Sequence, residues 1–496
     1  MLKFLKNSLT ILISLFLLLC YFIFTPLGNL SLYPFLSYEI SKRTEMQIEI
    51  QSLNILKYPE IEIVAHIERK AKLSIKGVLK KMHLDMLYTL NSNCIAIKEC
   101  HIDDIIDIKG SIKGEYSRLF IQGQGTALDG SVQYQATKYQ DGVENVLVTL
   151  KEINSTKLST LLGQPADIQG EANATLHFDF MNSHHKKGKI TYEVTDNNFR
   201  GIPIALSSKS SIEDDTHRFT IDVKSPHFIL NINQGIYNQK EKIAKASYLL
   251  DIPNLSTLET LLGYKYRGSF YARGEVSYAK YLKITGLSKS FGGMSDFVFE
   301  KNGLTIELYD VFLHEIMHLF PLPAMLTANA TGHLYYNFFE NTLVVNTKLK
   351  NAKFLHCKLV DIIYKKSGVN MLHETFDDSS LNFTYHESML LGDLHLANDT
   401  SYLNLSNTSI HINKNIIDAY FDFKMQKQEF SGKVYGQLHS PKVNLDMQKL
   451  IRYQMDKQVD KLIGKNNRRI MENMPMGNVA KDLATDVGAS FMKVFF

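Results

Sequence analysis

Short stretches in which apolar and polar residues alternate recur along most of this chain, and they constrain its fold more than any other feature. In one of them Phe219, Ile221 and Val223 alternate with Thr220 and Asp222. A period of two places every apolar side chain on one face of a β-strand. Clusters of Gly, Asn and Asp separate the stretches, and no long helical pattern interrupts them. The pattern therefore predicts a mainly β chain, a meander of antiparallel strands that each have one apolar face.

The apolar positions of the clearest stretches form a set that we call the predicted apolar set. If their faces line an open groove, an apolar ligand can lie along it. If the faces pack against one another, they form ordinary sandwich cores. One sequence leaves both readings open, because it does not fix strand register. The set is Phe219, Ile221, Val223, Phe228, Leu230, Ile232, Leu304, Ile306, Leu308, Leu381, Phe383, Tyr385, Phe421, Phe423 and Met425.

An internal repeat organises the middle of the chain. Residues 158–178, 258–278 and 316–336 align without gaps, and each begins with leucines or similar residues at the spacing L-x-x-L-L. Gly163 and Gly263 follow this run in the first two copies, and Pro321 takes their place in the third. We predict that each copy is a short helical turn, a loop and then a strand. Repetition of one unit indicates an elongated body in which neighbouring units stack.

The N-terminus predicts a membrane anchor. Lys3 and Lys6 precede an apolar run that extends, with its flanks, over residues 8–27. This length can span a bilayer as a helix, and the lysines favour a cytoplasmic N-terminus. A cleaved signal peptide is the alternative, but its cleavage site needs small residues, and the first alanine is Ala65. Beyond the span, Pro26 and Pro34 indicate a short connector, followed by a helix that runs into a strand over residues 36–51.

The C-terminus changes to helical spacing. Apolar residues recur every three or four positions in two segments, which predicts two amphipathic helices. Such helices can lie on a membrane surface or cap a β body, and the pattern leaves both readings open. We therefore divide the chain into an anchor (1–30), a β-groove body (31–445) and C-terminal helices (446–496). The residues concerned are Ile451, Met455, Val459, Leu462, Val479, Leu483, Val487 and Phe491.

Charge and cysteine content exclude some classes of function. The chain has 55 basic and 51 acidic residues and a net charge of +4, which is too balanced to indicate a nucleic-acid partner.

Cys94 and Cys100 can form a disulfide if residues 95–99 turn back tightly, and buried free thiols are the alternative. We predict no cofactor and no metal.

One short motif is typical of zinc proteases. His314, Glu315 and His318 match H-E-x-x-H, which on a helix places two histidines around zinc. The motif overlaps the third repeat copy, and the other copies have no histidine there. Pro321 ends any helix soon after it, and only the distant Glu340 offers a third ligand. We therefore predict that the chain is not an enzyme and keep a zinc metalloprotease as a remote alternative.

The whole layout resembles the AsmA-like family of Gram-negative bacteria, which includes the TamB-type proteins. Residues 25–50 are similar to the start of that family, the L-x-x-L-L-G unit resembles its internal repeats, and the terminal helices also fit. Residues 431–446 resemble its closing strand pair. The third copy departs from the pattern, because Pro321 replaces glycine there. The positions that match in the closing pair are Gly432, Gly436, Pro441, Leu445 and Asp446.

The resemblance implies a single-pass inner-membrane protein with its body in the periplasm and an open groove. It implies phospholipid as the ligand, held or moved between the inner and outer membranes. It also implies the alternative of a non-catalytic scaffold or assembly factor for outer-membrane proteins, with envelope-assembly proteins as partners. It offers no catalytic residues.

The topology gives the first testable prediction. A reporter that is active only outside the cytoplasm, fused after Phe496, should be active, because the lysines before residues 8–27 hold the N-terminus inside. The matched control changes Lys3 and Lys6 to Glu, which should lower the reporter signal. An inactive reporter on the unaltered chain would contradict the predicted orientation.

Overall fold

A computed structural model describes residues 25–446, apart from 45, 56–58, 98–99, 166, 320–324 and 427. Strands account for 67% of the chain, which confirms the predicted mainly β fold. Within the described residues, no helix combines the length and apolarity that a membrane crossing requires. All but the last three residues of the predicted span lie outside the described part, and so do the predicted C-terminal helices after Asp446.

The chain divides into two compact units, and the boundary between Tyr248 and Leu249 falls inside the predicted body. The first unit contains helices α1 (Pro26–Thr44) and α2 (Ser155–Leu161). Its strands are β1 (Ile48–Asn54), β2 (Glu60–Ile67), β3 (Ala71–Lys80), β4 (His83–Ile97), β5 (Cys100–Glu115), β6 (Arg118–Ala127), β7 (Gly130–Tyr139), β8 (Gly142–Asn154), β9 (Ile168–Gln169), β10 (Glu171–Asn182), β11 (Lys186–Phe199), β12 (Ile202–Glu213), β13 (Thr216–Lys224) and β14 (Ile229–Asn238). Strand β15 (Ile243–Ile252) contains the division.

The second unit contains helices α3 (Glu259–Leu262), α4 (Leu313–Leu319) and α5 (Lys358–Ser367), with 3₁₀ turns at Leu255–Leu258 and Met371–His373. Its strands are β16 (Phe270–Tyr278), β17 (Leu282–Ser288), β18 (Met294–Glu300), β19 (Gly303–Phe312), β20 (Leu326–Asn337), β21 (Thr342–Phe354), β22 (Asp378–His386), β23 (Met389–Ala397), β24 (Tyr402–His411), β25 (Ile416–Met425), β26 (Gln428–Gln437) and β27 (Ser440–Leu445).

Antiparallel pairing of consecutive strands builds the sheet within each unit. In the first unit β1 to β8 pair in order, β8 pairs with β10, and β10 to β14 continue the order. The two-residue β9 lies beside β11. In the second unit β16 to β27 pair in order. The predicted antiparallel meander is therefore confirmed for both units.

The helical turns and the strands of the repeat copies lie where the sequence predicts them, and residues 320–324 in the loop of the third copy, with Pro321, lie outside the described part. α2, α3 and α4 are the helical turns, and β10, β16 and β20 are the strands that follow them. Asn154 begins α2 as its N-cap, where its side chain accepts hydrogen bonds from the N–H groups of Thr156 and Lys157. Gly263 ends α3 in the left-handed conformation, with a φ of 68°, which glycine adopts without steric cost.

A fourth helical turn, α5, connects β21 and β22 and is one that the repeat analysis missed. Its Leu359, Ile362 and Ile363 have the same L-x-x-L-L spacing as the other copies. The segment after α5 is longer and includes the 3₁₀ turn Met371–His373, so a gapless alignment does not find it.

β-Bulges keep the apolar residues on one face where the period of two breaks. Leu150 and Ile153 are three positions apart in β8, and Glu152 between them has a φ of 55°. Side chains alternate between the two faces of a strand, so a step of three residues would place Ile153 on the opposite face from Leu150. The extra residue of the bulge reverses the face once more and keeps Ile153 on the apolar face. Ile153 is fully buried as a result.

The same bulge belongs to the repeat. Asp310 in β19 has a φ of 51° and lies 158 positions after Glu152, as the third copy lies after the first. In each case the bulged N–H donates to a side chain on the next strand, to Asn173 Oδ1 at 3.0 Å and to Thr331 Oγ1 at 3.1 Å. The repeat unit thus extends into the strand before the helical turn.

Helix α1 covers the free edge of β1. Tyr33, Ser37 and Ser41 are spaced by four residues and share one helix face. Each hydroxyl accepts a hydrogen bond from a backbone N–H of β1, at 3.0, 2.9 and 2.9 Å respectively. These N–H groups would otherwise be an unpaired sheet edge. The predicted connector is therefore wrong: Pro26 is the first residue of the helix, where proline is tolerated, and Pro34 lies inside it.

A buried ion pair holds α2 against the sheet. Asp104 of β5 is buried, and its carboxylate accepts hydrogen bonds from Lys157 Nζ at 2.9 Å and from the N–H of Leu128 at 2.5 Å. Lys157 Nζ also donates to Asp129 at 2.5 Å. Burial alone would raise the pKa of Asp104, but the hydrogen bonds from Lys157 and Leu128 outweigh it and lower that pKa.

Removal of this carboxylate gives the second prediction. Asp104→Ala leaves the Leu128 N–H without its acceptor and takes one partner from Lys157, so it should cost roughly 3 kcal/mol of unfolding free energy in urea. Because the folded pKa is lowered, the stabilisation is present above the unfolded pKa of the carboxyl and is lost as the pH falls below it. Asp104→Asn should therefore flatten the loss of stability in acid.

The control is Asp85→Ala, which removes a half-exposed ion pair with Lys113 at 3.4 Å. It should change stability by less than about 0.5 kcal/mol. Equal losses for Asp104→Ala and Asp85→Ala would show that burial of the first pair has no energetic consequence.

Candidate functional site

One face of the first unit is apolar from its first strand to β14, with a single polar interruption. The cross-strand register defines a row of directly paired residues, and only one member, Ser208, is neither apolar, aromatic nor glycine. The row is Ile50, Ala65, Leu73, Leu90, Ile108, Gly125, Val132, Leu150, Ala174, Tyr192, Ser208, Ile221 and Ile232. We call this side of the sheet the apolar face.

The opposite face of the same strands is polar. The neighbouring row, one residue away from the apolar row on each strand, contains threonine, serine, glutamine and lysine from β3 to β13. It consists of Ser74, Thr89, Lys109, Gln124, Gln133, Thr149, Thr175, Thr191, Lys209 and Thr220. On β6 the side chains of the polar face are exposed and those of the apolar face are half-buried. The sheet is thus amphipathic from β3 to β13 in this unit.

The second unit also has a continuous apolar row, and the side of its sheet that holds this row is called the apolar face of the second unit. Its half-buried apolar row is Ile284, Phe299, Leu304, Tyr336, Leu343, Tyr385, Leu390, Ile410 and Ile417. This row lies towards the hairpin turns that join β18 to β19, β20 to β21 and β22 to β23. The face therefore stays accessible at the hairpin end of the strands.

At their other end the strands of the second unit close into a core. Here α4 and α5 lie over the sheet, and Val360 and Ile363 of α5 are buried in the same cluster as Phe423 and Phe430. Leu349 of β21 and Leu396 of β23 are also fully buried. In the first unit α2 covers the corresponding strand ends with Leu158 and Leu161. Helical turns thus close one end of the apolar face.

The predicted apolar set falls into two groups. The first group is half-buried on the apolar face, and it consists of Phe219, Ile221, Val223, Phe228, Leu230, Ile232, Leu304, Ile306, Leu381, Phe383 and Tyr385. Ile221 pairs with Ile232, and Val223 with Leu230, so these four lie together. Phe228 precedes β14 rather than lying within it.

The second group requires a correction. Leu308, Phe421, Phe423 and Met425 are no more than 4% exposed and belong to the closed core. The ring of Phe423 contacts the rings of Phe421 and Phe430, with centroids 5.9 and 5.1 Å away. Alternation alone does not separate these residues from the first group, because it does not reveal which strand positions lie in the core that α4 and α5 join.

Glycines opposite phenylalanines let aromatic rings lie flat on the sheet. Phe219 pairs with Gly235 and Phe383 with Gly392. A Cβ on Gly235 would lie 2.5 Å from the Phe219 ring, so only glycine leaves room for it. Rings that lie over glycine make the apolar face smooth and shield the backbone beneath them.

Sequence reasoning missed a polar point on this face. Tyr88 of β4 and Tyr134 of β7 extend towards each other across Gly110 and Gly123, and their hydroxyl groups form a hydrogen bond. Burial, together with the bond to Tyr134, raises the pKa of Tyr88. The two glycines in otherwise regular strands were the one signal, since each needs a reason for its missing side chain.

The H-E-x-x-H motif lies on α4, a helix of seven residues. His314 stacks on Phe312, its Nδ1 lies 3.1 Å from the Thr327 hydroxyl, and its Nε2 lies 3.5 Å from Glu315. Glu340 is at the opposite end of β20, roughly 40 Å away at about 3.3 Å per residue. Among the described residues, no three side chains of the His, Cys, Asp or Glu type gather as metal ligands.

The sequence leaves a disulfide and free thiols open for Cys94 and Cys100, and the strand register does not pair these two residues. In the β4–β5 hairpin Cys100 pairs with Ile97, and Cys94 pairs with Asp103 three positions further along. Three strand positions span about 10 Å, beyond the reach of a disulfide. Cys94 is a half-buried free thiol.

Sequence comparisons assign this chain to no known group: no protein-family model matches it, and no curated protein matches it. The amphipathic sheet is therefore the feature on which a function must be argued.

The closed and open parts of the face give the third prediction. Phe421→Glu and Phe383→Glu each replace a phenylalanine that pairs with a glycine on the next strand, Gly432 and Gly392 respectively. Phe421→Glu puts a charge into a closed core and should cost roughly 4 kcal/mol of unfolding free energy. Phe383→Glu, whose carboxylate can reach water, should cost about 1 kcal/mol.

Urea unfolding of both variants, followed by circular dichroism, measures the difference. Similar losses would mean that the Phe383 region is as closed as the Phe421 region.

Proposed function

We propose that this protein holds phospholipid by its acyl chains along the apolar face. The observation that supports this most is the apolar row from Ile50 to Ile232, which is interrupted only by Ser208 and has a polar row behind it from β3 to β13. Its members are half-buried, except for Ile50, Ala65 and Ala174, which are buried. Exposed apolar surface is unfavourable in water, and large contiguous patches mark sites that bind apolar partners. A row of this length suits a long flexible chain better than a compact molecule.

The dimensions agree with acyl chains. The first unit pairs thirteen strands, β1 to β8 and β10 to β14, and at about 4.8 Å per strand the row extends roughly 60 Å. Several acyl chains can lie end to end on such a surface. The open hairpin end leaves room for a head group to remain in water, while the helical turns close the other end. Binding of this kind needs no catalytic group.

The sequence resemblance to AsmA-like proteins supports the same proposal and adds the setting. In that setting residues 8–27 hold the chain in the inner membrane, the body lies in the periplasm, and the groove carries phospholipid between inner and outer membranes. A scaffold for outer-membrane protein assembly is the rival. It would cover the apolar face with protein instead of lipid.

The fourth prediction uses two adjacent residues of β13 on opposite faces. Ile221→Glu places a carboxylate on the apolar row, and Thr220→Glu places the same group on the polar row. Full-length protein extracted into polymer-bounded native discs, without detergent, should contain phospholipid that contacts the face. A photoactivatable acyl chain should crosslink to the wild type and to Thr220→Glu, but several-fold less to Ile221→Glu, because a charge must be desolvated under an acyl chain.

Stability measured in parallel should be similar for the two variants, since both side chains can reach water. The absence of lipid crosslinks in the wild type would refute the proposal. Crosslinks from the apolar row to a protein instead would support the scaffold.

A further inference from the structure

Three neighbouring hairpin turns of the second unit form an exposed aromatic edge. Tyr278 pairs with Leu282, Glu300 with Gly303, and Asn337 with Thr342. The turns of β16–β17, β18–β19 and β20–β21 therefore lie at the same end of the strands. We call this set of turns the aromatic edge. Its exposed apolar, aromatic and basic residues are Tyr278, Lys280, Tyr281, Leu282, Lys301, Phe338 and Phe339.

The apolar residues at the tip of this edge are more exposed than folding alone favours. Phe339 is 85% exposed and Phe338 is 53% exposed. A fully exposed phenylalanine next to a second one, in a turn that needs neither for its geometry, is unfavourable in water. The turn itself is held by Asn337, whose side chain accepts hydrogen bonds from the N–H groups of Phe339 and Glu340.

Contacts between the turns give the edge a defined shape. Phe338 packs edge-on against Tyr336 and Phe299, with centroids 4.6 and 5.7 Å away, and its N–H donates to the Asn302 carbonyl at 2.8 Å. Lys301 Nζ lies 5.3 Å from the centre of the Tyr281 ring. The aromatic edge is therefore a connected surface of three turns.

The edge is continuous with the apolar face of the second unit. Phe299 and Tyr336, which Phe338 contacts, are members of its half-buried row, and both pair directly with Leu304. An apolar path thus leads from the exposed tip at Phe339 onto the sheet without crossing a charged side chain.

Charge at the edge favours an anionic surface. The edge contains three lysines and two glutamates, which are Lys280, Lys283, Lys301, Glu300 and Glu340. Glu300 is already paired with Lys283 at 3.0 Å, and that partner and Lys301 lower its pKa. Tyrosine rings and lysines beside protruding phenylalanines are the residue types that occupy a lipid–water interface.

We propose that the aromatic edge docks on the surface of a phospholipid bilayer, with Phe338 and Phe339 entering the acyl region and Lys280 and Lys301 near anionic head groups. The proposal rests on the proposed function, because it supplies the place where a lipid leaves a membrane for the apolar face. A protein partner would suit the aromatic residues as well, but the lysines around them and the continuity with an apolar sheet face favour a bilayer.

The chain has no tryptophan, so a single introduced tryptophan is a specific probe. Phe339→Trp places one at the tip of the edge, and we call it the tip probe. Tyr420→Trp places the control probe at a residue that is 50% exposed on the polar face of β25, four strands beyond β21. Full-length protein is held in nanodiscs, and brominated phospholipid, which quenches tryptophan on contact with its acyl chains, is supplied either in the disc or in added vesicles.

We expect the tip probe to shift to shorter wavelength and to lose fluorescence in at least one of the two arms, and the control probe to do so in neither. Lys280→Gln with Lys301→Gln should weaken docking to anionic vesicles by roughly fivefold per lysine removed. Solvent-like emission from the tip probe in both arms would overturn the proposal, and so would equal quenching of both probes. Shielding of the tip probe without quenching would overturn it too, and would assign the edge to a protein.

The tip probe also separates this inference from the proposed function. It should be quenched equally in an Ile221→Glu background, because docking does not use the first unit. Quenching of the tip probe together with no lipid on the apolar face would refute the proposed function and leave the docking edge standing. Lipid on the apolar face together with an unquenched tip probe would refute the docking edge and leave the proposed function standing.

Discussion

The register of the antiparallel ladder is the constraint on which both units depend. Each strand alternates apolar and polar side chains, so a slip of one residue would exchange the two faces. At Glu152 and Asp310 the apolar residues of the strand are three positions apart instead of two. A bulge at each of these places takes up the extra residue, so the apolar residues on both sides of it stay on one face. Hydrogen bonds from the bulged N–H groups to Asn173 and Thr331 hold these irregular steps in place.

The helical turns then decide which part of each apolar face becomes core. α2 covers one strand end in the first unit, and the buried pair of Asp104 and Lys157 positions it there. In the second unit α4 and α5 close a larger core that includes Phe423 and Phe430. Stability and ligand access are thereby separated along each strand, because the closed end supplies burial and the hairpin end stays accessible.

This separation explains how a sheet with so much exposed apolar surface can remain folded. Its polar row faces water, its first edge is paired with hydroxyl groups of α1, and the ring of Phe219 lies over Gly235. The remaining apolar surface is what the proposed lipid would cover. A single sheet that presents one apolar side also gives a long ligand a continuous path, which a closed sandwich does not.

Local pattern in the sequence determined the strands, their apolar faces and the helical turns of the repeat, because each depends on residues close together in the chain. It also singled out Ile221 and Ile232, which pair on the apolar face. Tertiary structure alone decided the rest. Tyr88 meets Tyr134 and Lys157 meets Asp104 across 46 and 53 positions, distances at which no local periodicity acts. Phe421 and Phe383 have the same alternation and each pairs with a glycine, Gly432 and Gly392 respectively. Only Phe421 is in the core, because α4 and α5 close one end of the strands and leave the other open.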